Sequence, residues 1–272
     1  MNVTDERNIT MATIDDFRRT TPGLAALVVG ALVSLASPPV QADYQLARRT
    51  PTGRQLFHSV KIEADRAKHI TTIIDTLVGK YYTEEGSGLL VGVPLLYRTT
   101  PQGSTYGISD ATLTLKHVVT FAPEFSIAPY ARAQFPTGAF SAAQKVNVGT
   151  GRFNEAFGAW YTLTWKKFEG DAMTEYVFQL PNPHTAVDPG DVVQGSVSAA
   201  YHSGGFWTGI EISGRRSWSD RKLDKIVAVG QESFAAGPEM RVNLGAGVLV
   251  HASAKTATNN TLSGEMRILY NF

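Results

Sequence analysis

No cysteine occurs among the 272 residues, which removes zinc-finger, thiol-catalysis and disulfide-framework readings and is compatible with passage through an oxidising periplasm. An excess of one charge is missing too: 25 Lys and Arg stand against 24 Asp and Glu, so nothing points to a nucleic-acid partner. Nor does any apolar run reach the ~20 residues that each span of a helical membrane bundle needs, and the mean hydropathy is only −0.10. A helical bundle is therefore excluded. What remains is a soluble protein or a β-barrel, whose alternating strands average to neutral hydropathy.

The longest apolar run is Gly23–Ala36, preceded by Arg18 and Arg19 and followed by Ser37-Pro38-Pro39-Val40-Gln41-Ala42. A positive flank, a short apolar core and small residues before a cleavage point form a secretory signal, with residues 1–42 removed after Ala42. The run is too short to span a bilayer, and Pro38-Pro39 ends it. Asp15-Asp16 is unusual in the first region of a signal, which leaves the start open between Met1 and Met11. Removing 1–42 takes three basic and four acidic side chains, leaving 22 against 20. Residues 43–55 then form a periplasmic N-terminal segment.

From Leu56 to the end the apolar period is two, not 3.6. In Phe125–Phe135, Phe125, Ile127, Pro129, Ala131, Ala133 and Phe135 share one face, and Ser126, Ala128, Tyr130, Arg132 and Gln134 the other. Arg241–Ala252 and Phe206–Arg215 alternate in the same way. A β-sandwich would alternate equally. Loop length separates the two architectures. About twelve strands are expected, starting near 56, 70, 88, 107, 125, 152, 168, 191, 206, 226, 240 and 261. Long polar loops at 99–105, 136–151, 181–190, 217–225 and 253–260 alternate with tight turns at 122–124, 166–167, 203–205 and 237–239. Long loops on one side, short turns on the other and an even strand count are the layout of an all-β, transmembrane, antiparallel up-and-down barrel over 56–272, in the outer membrane. Rings beside the tight turns (Phe121, Phe125, Tyr161, Trp165, Phe168, Tyr201, Phe206) would form an interfacial girdle in contact with lipid.

The last strand, Leu262–Phe272, places Leu262, Met266, Ile268, Tyr270 and Phe272 outward. A terminal Phe with an aromatic two residues before it resembles the signal read by the outer-membrane assembly machinery, with Tyr270 and Phe272 as its key positions. Arg267 departs from that pattern where Gly is frequent.

The middle of the chain resembles the outer-membrane family of the MetA-pathway of phenol degradation. The resemblance is carried by TYGISDATLTLKHVV (Thr105–Val119), FPTG (Phe135–Gly138) and NVGTGRFNEAFGAWYTL (Asn147–Leu163), and its order and spacing run from about Leu77 to Phe272. It implies a channel or transporter passing aromatic or other small hydrophobic compounds. The family supplies no binding residues to carry over, and Asp110 and Pro136-Thr137-Gly138 read as turn and loop chemistry.

Taking alternate residues inward puts Arg98, Lys116, Arg132, Arg215, Arg241 and Arg267 in the lumen with Glu169, Asp171, Glu175, Glu211 and Glu265, and with Tyr130, Trp160 and Trp207. An ion-pair network filling a narrow barrel is one consequence, since unpaired buried charge is costly. A charge-lined pore in which the rings stack an aromatic solute is the other. A structural or surface-binding barrel with a plugged lumen is the alternative to a channel. The six histidines lack metal-ligand spacing, no nucleophile elbow is present, and neither a metal nor another cofactor is expected. A barrel hydrolase using His117 or His251 beside Ser and Asn is a remote third reading.

Overall fold

The computed structural model describes residues 53–271 apart from 84, 141–146, 182–184, 186, 223–224, 246 and 259–260. The signal reading of 1–42, the segment 43–52 and Phe272 lie outside the described residues. The strands are β1 (Gly53–Asp65), β2 (Ile70–Tyr82), β3 (Ser87–Thr100), β4 (Gly103–Ile108), β5 (Ala111–His117), β6 (Val119–Ala122), β7 (Phe125–Phe135), β8 (Asn154–Trp165), β9 (Phe168–Gln179), β10 (Val192–Ser203), β11 (Phe206–Ser217), β12 (Asp220–Lys222), β13 (Lys225–Ala228), β14 (Glu232–Gly245), β15 (Val248–Ala257) and β16 (Thr261–Asn271). Neighbours pair antiparallel throughout. β1 pairs with both β2 and β16, and β2 pairs with β3, so the sheet closes on itself. Closure leaves no edge with unmade backbone bonds, the condition for crossing lipid with strands.

Twelve staves make the ring, because β4, β5 and β6 follow one another along one stave. Two prolines explain its breaks. Leu95 pairs with Ile108 but Gly92 with Thr112, so one extra residue enters at Ser109-Asp110. The bulge lies opposite Pro94, whose carbonyl still accepts from the Ser109 amide at 2.8 Å but which has no N–H to return. Farther along, Pro129 interrupts the ladder to β7 between Lys116 and Val119.

Which residues lie bare decides between barrel and sandwich. Val197 is 61% exposed, Ile210 60% and Leu244 63%, whereas Glu175, Glu239 and Arg241 are each 4% exposed. Apolar outside and charged inside is the reverse of a water-soluble domain and is what a lipid-facing wall around a polar interior requires. Phe121, Trp165, Phe168, Tyr201 and Phe206 are exposed at the tight-turn end, with Phe168 5.5 Å from Tyr201 and 6.3 Å from Trp165 between ring centres. A second set, including Tyr97, Tyr106, Phe178 and Phe234, is exposed toward the other end, so the apolar wall has a girdle at both interfaces. A polar pair interrupts the wall near its middle. His58 Nε2 and Asp75 Oδ1 lie 2.6 Å apart on the face shared with Leu77 and Ile268, and each satisfies the other.

Several strand boundaries differ from the sequence expectation. The segment near 226 belongs to the small β12–β13 hairpin, outside the ring. The tight turn expected at 237–239 lies inside β14, and the true turn joins Gly245 to Val248, where Gly245 and Gly247 adopt φ of 78° and 75°, a conformation open to glycine. Loops expected to be long at 99–105 and 253–260 are short, because β3, β4 and β15 extend into them. The remaining long loops, 136–153, 180–191 and 218–231, therefore all sit over β7–β14.

Candidate functional site in the barrel lumen

The inward residues of β5, β7, β8, β9 and β10 form one connected group. Lys116 Nζ lies 4.7 Å from the ring centre of Tyr82 and 5.7 Å from that of Trp160. Trp160 stacks on Tyr130 at 3.9 Å and 20°. The Tyr130 hydroxyl donates to Glu175 Oε2 at 2.8 Å, while Arg132 Nη2 and Gln194 Nε2 both reach Glu175 Oε1 at 2.7 Å. This buried carboxylate thus has three donors, which is how a charge is held away from bulk water. Gly158 makes the arrangement possible, since a Cβ there would lie 2.7 Å from the Tyr130 ring.

Across the lumen a second group is built on Arg241. Its guanidinium contacts Glu169 at 2.5 Å, Asp171 at 3.0 Å and Glu239 at 3.2 Å, and Glu239 also meets His251 Nε2 at 3.3 Å. The Arg241–Glu169 bridge joins β14 to β9, three staves away around the ring, so it braces the interior rather than one hairpin. Nearby, Arg267 pairs with Glu265 at 2.5 Å, and Lys255 with Glu211 at 2.6 Å. Trp207 stacks on His202 at 4.3 Å and packs with Phe57 against the buried Leu249–Leu269 pair.

Above these groups lies a cavity of about 510 Å³, lined by Trp160, Asp171, Glu211, Arg215, Arg241 and Lys255 among others. Small inward side chains open it: Ser196, Ser198, Ser213, Ser233, Ser253 and Ser263 all line it. Large side chains instead fill the opposite wall, around Tyr82, Tyr130 and Trp160. Arg215 stands exposed on the cavity surface, and Arg98 faces inward from β3, its Nε 3.4 Å from Thr72 Oγ1. The fourteen inward residues read from alternation lie by register on the inner face, where they form separate groups rather than one site. Tyr270, outward by register beside Leu56 and Val248, is only 6% exposed.

Alternation missed several inward participants, among them Glu239, Lys80 and Lys255. Glu239 was hidden by the expected turn at 237–239, although extending the phase of Arg241 back two residues reaches it. Lys255 fell in the loop expected at 253–260, which β15 instead extends into, and Lys80 lies on β2, whose alternation is weak.

The loop staple was also missed as a unit. Asp110, 2% exposed, accepts from the Gly138 amide at 3.1 Å, the Thr150 amide at 2.7 Å, the Thr150 hydroxyl at 2.5 Å and Gln134 Nε2 at 3.3 Å. The Thr137 hydroxyl accepts from the Ala111 amide at 2.8 Å and donates to the Ser109 carbonyl at 3.1 Å. Gly138 and Gly149 are so close that a Cβ on Gly138 would lie 2.7 Å from the Gly149 Cα. Asp191 and Asp220 fasten the other long loops: Tyr176 and the Gln179 amide donate to Asp191 at 2.7 and 3.2 Å, and the Gly190 amide to Asp220 at 3.1 Å. Arg152, in the same loop layer, bonds Gln179 at 2.6 Å. Burial lowers its pKa, opposed by the charges of Asp220 and Asp110 and reinforced by that of Arg215.

No three His, Asp or Glu side chains are arranged to hold a metal ion among the described residues. The family model for the MetA-pathway of phenol degradation matches residues 58–272. No curated protein matches the sequence. Among solved structures, the COG4313 outer membrane channel from Pseudomonas putida F1 superposes with a TM-score of 0.70 at 14% identity, covering 85% of this chain and 100% of that one. The β domain of the Bordetella autotransporter BrkA gives 0.53 at 12% identity over 81% and 99%. The KdgM porin, solved in complex with disordered oligogalacturonate, gives 0.50 at 10% identity over 80% and 99%. At these identities the likeness is one of fold, that of a twelve-stranded outer-membrane barrel.

Proposed function

Because the chain belongs to the MetA-pathway of phenol degradation family, we propose that it is an outer-membrane channel whose lumen admits small aromatic or hydrophobic compounds. The observation that carries this reading is the cavity of about 510 Å³ bounded on one wall by Trp160, which is held by stacking on Tyr130 behind it. An indole face beside open volume offers an aromatic solute stacking that a wall of serines does not. Passage rather than chemistry is the role that membership of this family supports. The braced floor around Arg241 favours the second reading, a plugged barrel whose loops do the binding.

Uptake into liposomes separates the two. A channel carries phenol inward faster than empty liposomes do, and Trp160→Ala slows that uptake while the barrel still folds. Uptake equal to that of empty liposomes selects the plugged barrel. For biogenesis, we propose export by the signal in 1–42 and insertion by the outer-membrane assembly machinery through the Tyr270–Phe272 end. A mature protein beginning at Asp43 is the expected result of N-terminal sequencing.

A further inference from the structure

The charges facing the lumen do not balance, and the imbalance has one sign. Every inward carboxylate has a cationic partner: Glu63 has Lys61 at 2.6 Å, Glu175 has Arg132, Glu211 has Lys255, Glu265 has Arg267, and Glu169, Asp171 and Glu239 share Arg241. The inward cations are more numerous. Lys80 lies on the inner face of β2, level with the buried Gln55 and Leu90. Its Nζ sits 4.8 Å from the Phe57 ring, and no carboxylate among the described residues forms a salt bridge with it. Arg98 reaches the Thr72 hydroxyl and forms no salt bridge among the described residues. Arg215 lines the cavity with no carboxylate in salt-bridge range among the described residues, and it sits near a second guanidinium, that of Arg152.

Three cations without a carboxylate partner among the described residues, spaced from the outer end of β3 and β11 to the inner end of β2, outnumber the two negative charges left over where Glu169, Asp171 and Glu239 share one Arg241, so the wall keeps a small net positive potential. In a narrow passage with low-dielectric walls such a potential is focused on whatever enters. Arg215 and Trp160 line the same cavity, whose other charged lining is four cations and five carboxylates, so one small molecule meets there a guanidinium outside any salt bridge among the described residues and an indole together. We propose that the channel selects small aromatic carboxylates, with Arg215, Arg98 and Lys80 as the selectivity-determining residues. This inference rests on the channel reading above and adds the charge of the solute to it.

The test uses the full barrel refolded into planar bilayers and liposomes. Under a KCl gradient the reversal potential should show chloride permeating several-fold faster than potassium, and benzoate should enter liposomes several-fold faster than benzylamine. Arg215→Gln alone, and combined with Arg98→Gln and Lys80→Gln, should bring both ratios toward one. These changes break none of the observed ion pairs, and heat-modifiable mobility on a gel verifies that each variant has folded. Lys68→Gln, in an exposed turn beside Asp65, should leave both ratios unchanged. A conducting barrel that prefers potassium or benzylamine overturns the inference and leaves the channel reading standing. So does an equal effect of Lys68→Gln, which would show a general surface-charge effect. If neither ion current nor uptake of either solute is seen, the channel reading fails and this inference with it.

Discussion

Replacing Asp110 by Ala should release the 136–153 loop without opening the barrel. Asp110 is buried at the bulge of the fourth stave and accepts four hydrogen bonds, from Gly138, Thr150 twice and Gln134. Charge-assisted bonds contribute about 1.5–3 kcal/mol each, and a buried donor left without an acceptor costs about 1–3 kcal/mol. The bonds share one acceptor and the loop can take up water, so the sum is smaller than four separate deletions. About 3 kcal/mol of local stability is a reasonable loss, which raises the open population of the loop roughly 100-fold at 1.4 kcal/mol per factor of ten. Proteolysis tracks the open population when reclosing is faster than cleavage. Limited trypsin digestion of the folded protein should therefore cut at Arg152 or Lys145 about 100 times faster in Asp110→Ala than in wild type. The two fragments should still run as a heat-modifiable barrel until boiled, since backbone ladders hold the staves on either side. A cleavage rate within a few-fold of wild type would refute the staple. Loss of the folded band would show that Asp110 stabilises the stave rather than the loop.

The other perturbations separate face from face and fold from assembly. Val197→Arg, on the lipid wall, should cost about 2–4 kcal/mol near the bilayer midplane and abolish refolding into thin bilayers, whereas Ser196→Arg, lining the cavity, should refold; equal behaviour would mean both faces are packed. Arg241→Ala strands Glu169 and Glu239 without their shared cation and should cost about 3–5 kcal/mol in urea unfolding from detergent, while a loss below about 1 kcal/mol would show that water reaches the network freely. Deleting Phe272 should reduce outer-membrane levels in cells far more than a stability change of ~1–3 kcal/mol, the most that burial of one such ring supplies, would explain; unchanged levels with lowered stability in detergent would remove it from the assembly signal.

The architecture was legible because a two-residue period survives most local irregularities, and that same robustness hid the strand ends. Across the β14–β15 turn the inward set runs Arg241, Asn243, then Leu249 and His251, still on odd numbers, because Asn243 pairs with Leu249 and the irregularity that sets Gly245 opposite Val248 is confined to the turn. A turn that preserves phase leaves no mark in the alternation; only the left-handed glycines reveal it. The opposite error arose at Gly237-Pro238, a dipeptide with turn character that interrupts ladder bonds to β15 while the register on both sides is unchanged. At Asp110 the phase does flip, since the outward set is Tyr106 and Ile108 before the bulge and Leu113 and Leu115 after it. Reading Thr105–Val119 as one strand passed over the flip. Lumen facing was thus readable residue by residue, but lumen partnership was not. Arg241 meets Glu169 because the stagger of the closed ring brings β14 and β9 to the same level, a property of the whole sheet that no window of sequence contains.

The three strings that carry the family resemblance, Thr105–Val119, Phe135–Gly138 and Asn147–Leu163, are not adjacent in sequence, yet the fold brings parts of all three to Asp110. Its bulge comes from the first, Thr137 and Gly138 from the second, and Gly149 and Thr150 from the third. What these strings encode is largely the way the longest outer loop is fastened to the wall. The cavity lining draws mostly on other segments: Glu211 and Arg215 come from β11, Arg241 from β14, Lys255 from β15 and Arg267 from β16. Of the residues that line the cavity, Trp160, Tyr161 and Thr162 fall within the strings. A channel that kept the staple but changed β11 and β14–β16 would therefore look the same by these strings while carrying a different charge in its lumen. Family membership thus accounts for the barrel and its loop layer, whereas the choice of solute has to be argued from the inward residues of the second half of the ring.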